Sequence, residues 1–413
     1  MKMQTDKLAE KKKRLDTAIS LNEPDRVPLA PKGGMFYGTA YGVSYYDVMM
    51  DNRNAIPGML SYMEEYDPDM VWAPIVYPIP PMEAVAPNYI KWPGPQHGLP
   101  LTSPYQVLDN SYINDDEFGE FVKDPTHFIL TKLIPRKHEN LKGFSKLYLR
   151  DAVDLTMYID FSIFTDPDVI AAFACALECA KKAKEWMKTA DEIADLITEK
   201  GFVTSPQGVQ SCPYDMFSDN YRGLIKTAMD VIERPDELEA AVDVCREIVI
   251  ESTLKMCKDG GPDYVLIPLH GGVGEFMSPD NFDRFYWKGL KELLETIIDC
   301  GSIPYVFCEG KYDSRLHRLA EIPKGKVVYM FESVDMKQVK KILGSTACIC
   351  GNISSSLLAY GKPQEVADEC KRLLDICAPG GGFIMDVSVD LTNADPKNVE
   401  AMFETTRNYG KYK

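Results

Sequence analysis

Between residues 264 and 390 the apolar positions fall into short continuous runs, each bounded by glycine or charge: "YVLIPLHGG" (264–272), "IPYVFCEG" (303–310), "KVVYMFES" (326–333), "TACICGNI" (346–353) and "GGFIMDVSVD" (381–390). Runs of this length with apolar residues at successive positions predict strands covered on both faces. The segments between them carry apolar residues at intervals of three and four: "SPDNFDRFYWKGLKELLETIIDCG", "YDSRLHRLAEI", "DMKQVKKILG" and "PQEVADECKRLLDICA". That spacing predicts amphipathic helices. Ser278 is placed to cap the first of them, with Pro279 as its first helical residue. A longer helix is predicted over 168–200.

Strand and helix in regular alternation with short connections mean a parallel sheet with crossover helices. No glycine-rich phosphate loop follows any of the strands, and "APGGGF" at 378–383 enters a strand instead of leaving one. The even spacing therefore favours a closed (β/α)8 TIM barrel over an open nucleotide-binding sheet. The first 150 residues read differently. "MVWAPIVYPIPPMEAVAPNYIKWPGPQHGLP" is dense in proline and aromatics, which argues against regular helix or central strand and for long loops. The expectation is one domain over 1–413, an α/β barrel with 1–150 as an N-terminal elaboration of helices and long loops lying over it.

Composition adds limits. Of the 413 residues 45% are apolar and 26% charged, which suits an ordinary globular core. The formal net charge of −16 argues against binding to nucleic acid or an anionic membrane surface. The opening "MKMQTDKLAEKKKRLDTAI" has no apolar core, and no stretch approaches the ~20 apolar residues that span a bilayer. Eleven cysteines without short-spaced pairing fit free thiols in a reducing compartment, so a cytoplasmic location is expected.

Chemistry in a barrel collects where strands end. The strand-terminal residues here are His270, Cys308 with Glu309, Glu332, Cys348 with Cys350, and Asp386 with Ser388. These are metal-ligand types, and Zn2+ accepts thiolate, imidazole and carboxylate together. Strand parity puts Phe307 and Glu309 on one face and Cys308 on the other, so Glu309 is expected inside the barrel and Cys308 toward the helices. Cys348 and Cys350 share a face. The expected metal set is Glu309, Glu332, Cys350 and His270, with Cys308 and Cys348 as further ligands. Glu309 and His270 are the expected catalytic residues. Met35, Phe36, Tyr45 and Tyr46 are candidates for binding substrate, and Tyr37, Trp72 and Tyr77 are further aromatics able to wall a pocket.

Several stretches resemble the uroporphyrinogen decarboxylase superfamily. They include "LHGGVGEFMSPDNFDRFYW", "FCEGKYDSRLHRLAEIPKGK", "CICGNISSSLLAYGKPQEV", "PGGGFIMD" and "NVEAMFETTRNYG". "DRVPL", "KWPG", "YQVLD", "DEFGEFVKDPTHFILTKLIPR" and "DNYRGLIKTAMDVIERPDEL" extend the likeness to its corrinoid-dependent methyltransferase branch, in particular the O-demethylase type. The decarboxylase itself is a poor match, because "DRVPLAPKGGMFYG" offers only Arg26 and Lys32 to a polycarboxylate porphyrinogen. The thiol-methylating members carry His-x-Cys where this chain has Phe307-Cys308-Glu309, and a Cys where it has Ser388, which points away from thiol methylation. Some aromatic O-demethylases carry an Asp, Cys, Cys set that Asp280, Cys308 and Cys348 match in spacing. The resemblance implies transfer of a methyl group from a small methylated compound, here a methoxylated aromatic, to the Co(I) corrinoid of a cognate partner protein. Methylamine, betaine, thioether or halide donors, or a tetrapyrrole-binding protein without turnover, are the alternatives.

Overall fold

The computed structural model describes residues 2–148, 159–258 and 260–412. At its centre lies a parallel sheet with the strand order Phe383–Ile384, Cys348–Cys350, Val328–Phe331, Ile303–Cys308, Tyr264–Leu269, Gly208–Val209. The five strands expected from the apolar runs are all present and lie side by side in chain order. The sheet then closes. Met385 forms a parallel bridge with Leu29, and the Asp69 amide donates to the Leu29 carbonyl at 2.7 Å. Met70–Val71 pairs in parallel with Val203–Thr204, which leads through Pro206 into Gly208–Val209. Counting 28–30, 69–71 and 203–209 with the five later strands gives the eight parallel segments of a (β/α)8 barrel.

Alternation along each strand sorts the side chains into two cores. Tyr305, Phe307, Val328, Met330, Cys348, Cys350 and Ile384 fill the barrel interior, with Trp72 and Tyr264. Val306, Cys308, Tyr329, Phe331 and Ile349 pack outward against the helices. The helix Lys288–Asp299 meets them with Leu290, Leu293, Leu294 and Ile297, the three-and-four stripe read in the sequence. Truncating one of these leucines to alanine would cost about 2–5 kcal/mol. Ser278 caps the preceding turn by accepting from the Asn281 amide, with Pro279 next, as its spacing implied.

The helix Lys2–Ile19 plugs the end where strands begin, sending Leu15, Ala18 and Ile19 into the barrel interior. Beside it Asp69, fully buried, accepts from Arg14 at 2.6 Å, Arg26 at 2.7 Å and the Leu29 amide at 2.7 Å. The proline-rich stretch departs from expectation at two points. Met70–Val71 is a barrel strand, tolerated because it ends before Pro74. Ile79–Val85 is a short helix whose prolines sit in its first turn, where no backbone donor is lost. An antiparallel pair, Ile90–Lys91 with Gln106–Val107, completes that region.

Candidate active site

The strand Tyr264–Leu269 delivers His270 to the end of the barrel where strands finish. The backbone amides of His270 and Gly271 donate to the Asp215 carboxylate at 3.1 and 2.8 Å, and the Tyr286 hydroxyl donates to the same group. Gly271 is required for this approach, because a Cβ there would stand 2.6 Å from the Tyr214 ring. The imidazole is thereby fixed between two acids. Its Nδ1 lies 2.6 Å from Asp219 Oδ2 and its Nε2 lies 3.5 Å from Glu309 Oε1. Burial alone would lower the pKa of His270, but the hydrogen bonds to Asp219 and Glu309 and the charge of Asp215 outweigh it and raise it to about 11. His270 is therefore an imidazolium at neutral pH. Asp215, fully buried and close to Asp219, is itself pushed up to about 6.

Asp215 and Asp219 both come from the segment after the third barrel position. The helix Pro213–Phe217 runs into a π-helical turn, Ser218–Arg222. Four residues of separation put the two acids on one helical face, turned toward the histidine. Neither was singled out from sequence, although the i, i+4 acid pair just beyond a strand was the available signal. Lys137 braces this turn by donating to the Asn220 carbonyl and side chain at 3.3 and 3.2 Å. Its ammonium lies 4.5 Å over the Tyr89 ring, and burial lowers its pKa to about 8.

Of the expected metal ligands, only His270 and Glu309 meet. Glu332 turns to accept from the Gly310 amide at 2.6 Å, where Gly310 has a φ of +84°, and so fixes the turn that carries Glu309. Cys308 packs among the outward core, as parity required, and burial pushes its thiol well above the ordinary range. Cys348 and Cys350 face the barrel interior on the floor side. Cys350 donates to Asp386 Oδ2 at 3.5 Å, and Cys348 lies one layer deeper. Asp280 is exposed in a first helical turn, and the Ser388 hydroxyl accepts from the Ser355 amide at 3.0 Å. Among the described residues no group of three His, Cys, Asp or Glu side chains converges to hold a metal ion. The expected ligand set therefore does not fit zinc: its members are divided among the mouth, the interior and the outer core.

The floor beneath Glu309 carries a different pairing. Lys32, at the end of the first barrel segment, donates to Asp386 Oδ2 at 2.8 Å and to the Val387 carbonyl at 3.1 Å. Its ammonium lies 4.6 Å from the centre of the Phe307 ring. Asp386 also accepts from the Lys32 and Val387 amides at 2.8 and 2.7 Å, so it is fully engaged.

The aromatic candidates separate in the same way. Phe36 is fully buried in edge-to-face contact with Tyr62 and Tyr66, and Met35 is buried beside it, so both are packing residues and present no surface to a ligand. Tyr37 is likewise buried, against Tyr62, and Trp72 belongs to the barrel interior. Tyr45 is nearly buried, close to Thr392 and Asp390. Tyr46, half-buried, packs in a satellite cluster with Met49 and Tyr105. Tyr77 is the open one. It stands edge-on to Tyr105 at 4.8 Å and within electrostatic reach of His270 and Asp219, while Tyr105 lies close to Glu309 and Asp390. No helix among the described residues is long and apolar enough to cross a membrane.

Residues 167–409 match the family model described as uroporphyrinogen decarboxylase (URO-D). A uroporphyrinogen decarboxylase from Azoarcus sp. is 22% identical over 198 residues, 47% of this chain and 53% of the relative. The chain thus spans about half the length of that curated relative. Among solved structures, a methyltransferase from Methanosarcina mazei superposes with a TM-score of 0.60 over 97% of this chain and 98% of its own, at 17% identity. That likeness supports the barrel fold. A B12-independent methionine synthase from a Shewanella species covers 93% of the chain at a TM-score of 0.42 and 11% identity, too remote to inform the site.

Proposed function

The chain belongs to the uroporphyrinogen decarboxylase family, and from that premise we propose that it is a methyltransferase of the O-demethylase type. It removes the methyl group of a methoxylated aromatic compound and passes it to the Co(I) corrinoid of a partner protein. The observation that carries this reading is the imidazolium of His270, clamped between Asp219 and Glu309 and facing the Tyr77–Tyr105 rim. The partner's Co(I) corrinoid would supply the nucleophile for the methyl carbon. Ile75, Phe276 and Val389, on loops that follow barrel strands, are exposed apolar side chains it could meet.

The chain's own task is the leaving group. Breaking the methyl–oxygen bond leaves both electrons on a phenolate oxygen, a poor leaving group that needs a proton or a fixed positive charge. His270 Nε2 faces the mouth and holds a proton. That proton, favoured by Asp219 and Glu309, is the one available to the departing oxygen. Asp219 fixes the ring and keeps the resulting imidazole in one tautomer, and Glu309 stabilises the charged form beforehand. Asp215 and Tyr286 position the backbone of the His270 loop and do not touch the substrate. Tyr77 and Tyr105 form the wall against which an aromatic donor stacks.

The test is direct. The purified protein is mixed with a methoxyphenol and a Co(I) corrinoid, free or protein-borne, and both methylation of cobalt and release of the demethylated phenol are followed. Appearance of the two products in equal amounts is expected. Transfer from a methylated amine or thioether but not from any aryl ether would replace the donor, and no transfer from any donor would end the methyltransferase reading.

A further inference from the structure

The leaving-group chemistry above uses His270 and leaves the cation on the barrel floor unassigned. A lysine ammonium has three protons to place. Two of those on Lys32 go to Asp386 Oδ2 and the Val387 carbonyl, and among the described residues the third meets no oxygen, only the face of Phe307. The side chain is not sealed off, retaining 11% exposure against 0% for Asp386, and Phe307 beneath it is only half-buried. Asp386 accepts on both oxygens from backbone and side chain, so the ammonium is held in one place with one donor free.

We propose that Lys32 binds an anionic oxygen on the ring of the aromatic donor, a phenolate or a carboxylate. It would thus supply, inside the barrel, the fixed positive charge for which the scattered thiols and carboxylates do not assemble a metal ion. The proposal rests on the methoxylated-aromatic reading of the same site. Its geometry comes from one strand. Phe307 and Glu309 share a face two residues apart, a rise of ~6–7 Å, which is close to the span of a substituted benzene ring. A ring lying over Phe307 with its charged oxygen at Lys32 carries its other substituents to Glu309 and His270. Recognition of this kind selects donors bearing an acidic oxygen and discriminates against neutral aryl ethers.

Equilibrium binding, read by calorimetry without any corrinoid, separates this from the methyl-transfer chemistry. The probes are 3,4-dihydroxybenzoate, catechol and the uncharged 3-methoxybenzyl alcohol. Loss of one charge-assisted hydrogen bond predicts that Lys32→Gln binds the acidic probes roughly tenfold to a hundredfold more weakly, with part of the affinity restored in Lys32→Arg. A loss confined to the benzoate identifies the carboxylate as the gripped group, and an equal loss with catechol identifies the phenolic oxygen. If Lys32→Gln does not fold, the wild-type protein decides, since the neutral alcohol must bind more weakly than 3,4-dihydroxybenzoate, which carries both kinds of acidic oxygen. Three results overturn the proposal: unchanged affinity in folded Lys32→Gln, no preference of the wild type for acidic probes, or binding that appears only with an added equivalent of Zn2+. Intact, Lys32-dependent binding without methyl transfer would sink the methyltransferase reading and leave this inference standing.

Discussion

The two ends of the barrel hold inverse ionic arrangements. At the end where strands begin, one buried carboxylate, Asp69, is shared by two guanidiniums. At the end where strands finish, one imidazole, His270, is shared by two carboxylates. The inversion decides what each can do. Arginine does not release its proton in a protein, so the guanidiniums around Asp69 have no proton to give and serve to join the first helix to the strands. Histidine can exchange its proton, and Asp219 and Glu309 set when it does so. A cation with a fixed proton holds structure; one with an exchangeable proton and an open side supports chemistry.

The contrast predicts separable losses. The largest belongs to the mouth: His270→Gln should lower methyl transfer by about 10²–10⁴-fold, and at neutral pH it should also lose the stability that the histidine's proton contributes. Near-normal turnover in folded His270→Gln would mean that His270 takes no part in the chemistry. Next comes the base, where Asp69→Ala leaves the Arg26 guanidinium without its carboxylate, while Arg14 keeps Asp25 and Glu10. A loss of about 3–5 kcal/mol in unfolding free energy is expected, with turnover per folded molecule retained. Denaturant titration alongside rate measurements on the same samples checks both halves.

The third prediction concerns pH. The folded pKa of His270, about 11, lies above its unfolded value of ~6.5, so the native state holds the extra proton between them. The stability this contributes is fully present below the unfolded pKa and is lost as pH rises through the folded one. Unfolding free energy should therefore slope downward across that window, and His270→Gln should flatten the slope where Asp69→Ala does not. Equal slopes in the wild type and His270→Gln would show that the clamp is not holding a proton. The smallest effect lies far from either cluster. Ser278→Ala removes one helix cap and should cost about 1 kcal/mol, leaving both activity and pH slope unchanged.

Legibility in the sequence followed the length of the local signal. The later five strands announced themselves because each carries several consecutive apolar residues, and strand parity correctly separated Cys308 from the inward face. The first three barrel positions were silent. Segments 28–30 and 69–71 are three residues each and 203–209 is two two-residue strands either side of Pro206, all held by a few pairings. Site residues show the same limit. His270 and Glu309 could be read from strand ends, but Asp215 and Asp219 reach them from a turn more than 50 residues earlier. The metal expectation counted ligand types at strand ends without the directions in which they point. Glu332 serves a backbone amide, and Cys350 bonds to an aspartate that already accepts from Lys32. Phe36 illustrates the remaining ambiguity, since an aromatic in a loop reads alike whether it lines a pocket or fills a core.

The closing seam sets a clock on synthesis. Segment 28–30 pairs with Asp69 on one side, but its neighbour on the other is Met385; Lys32 meets Asp386 across 354 positions of chain, and the Val27 amide pairs with the Gly410 carbonyl. At ~5–20 residues per second, the first barrel segment waits roughly twenty to seventy seconds on the ribosome before this second neighbour exists. Through that interval its apolar edge and the lysine of the floor stand open. A nascent chain of this protein therefore depends on whatever shields that edge until the last strand emerges.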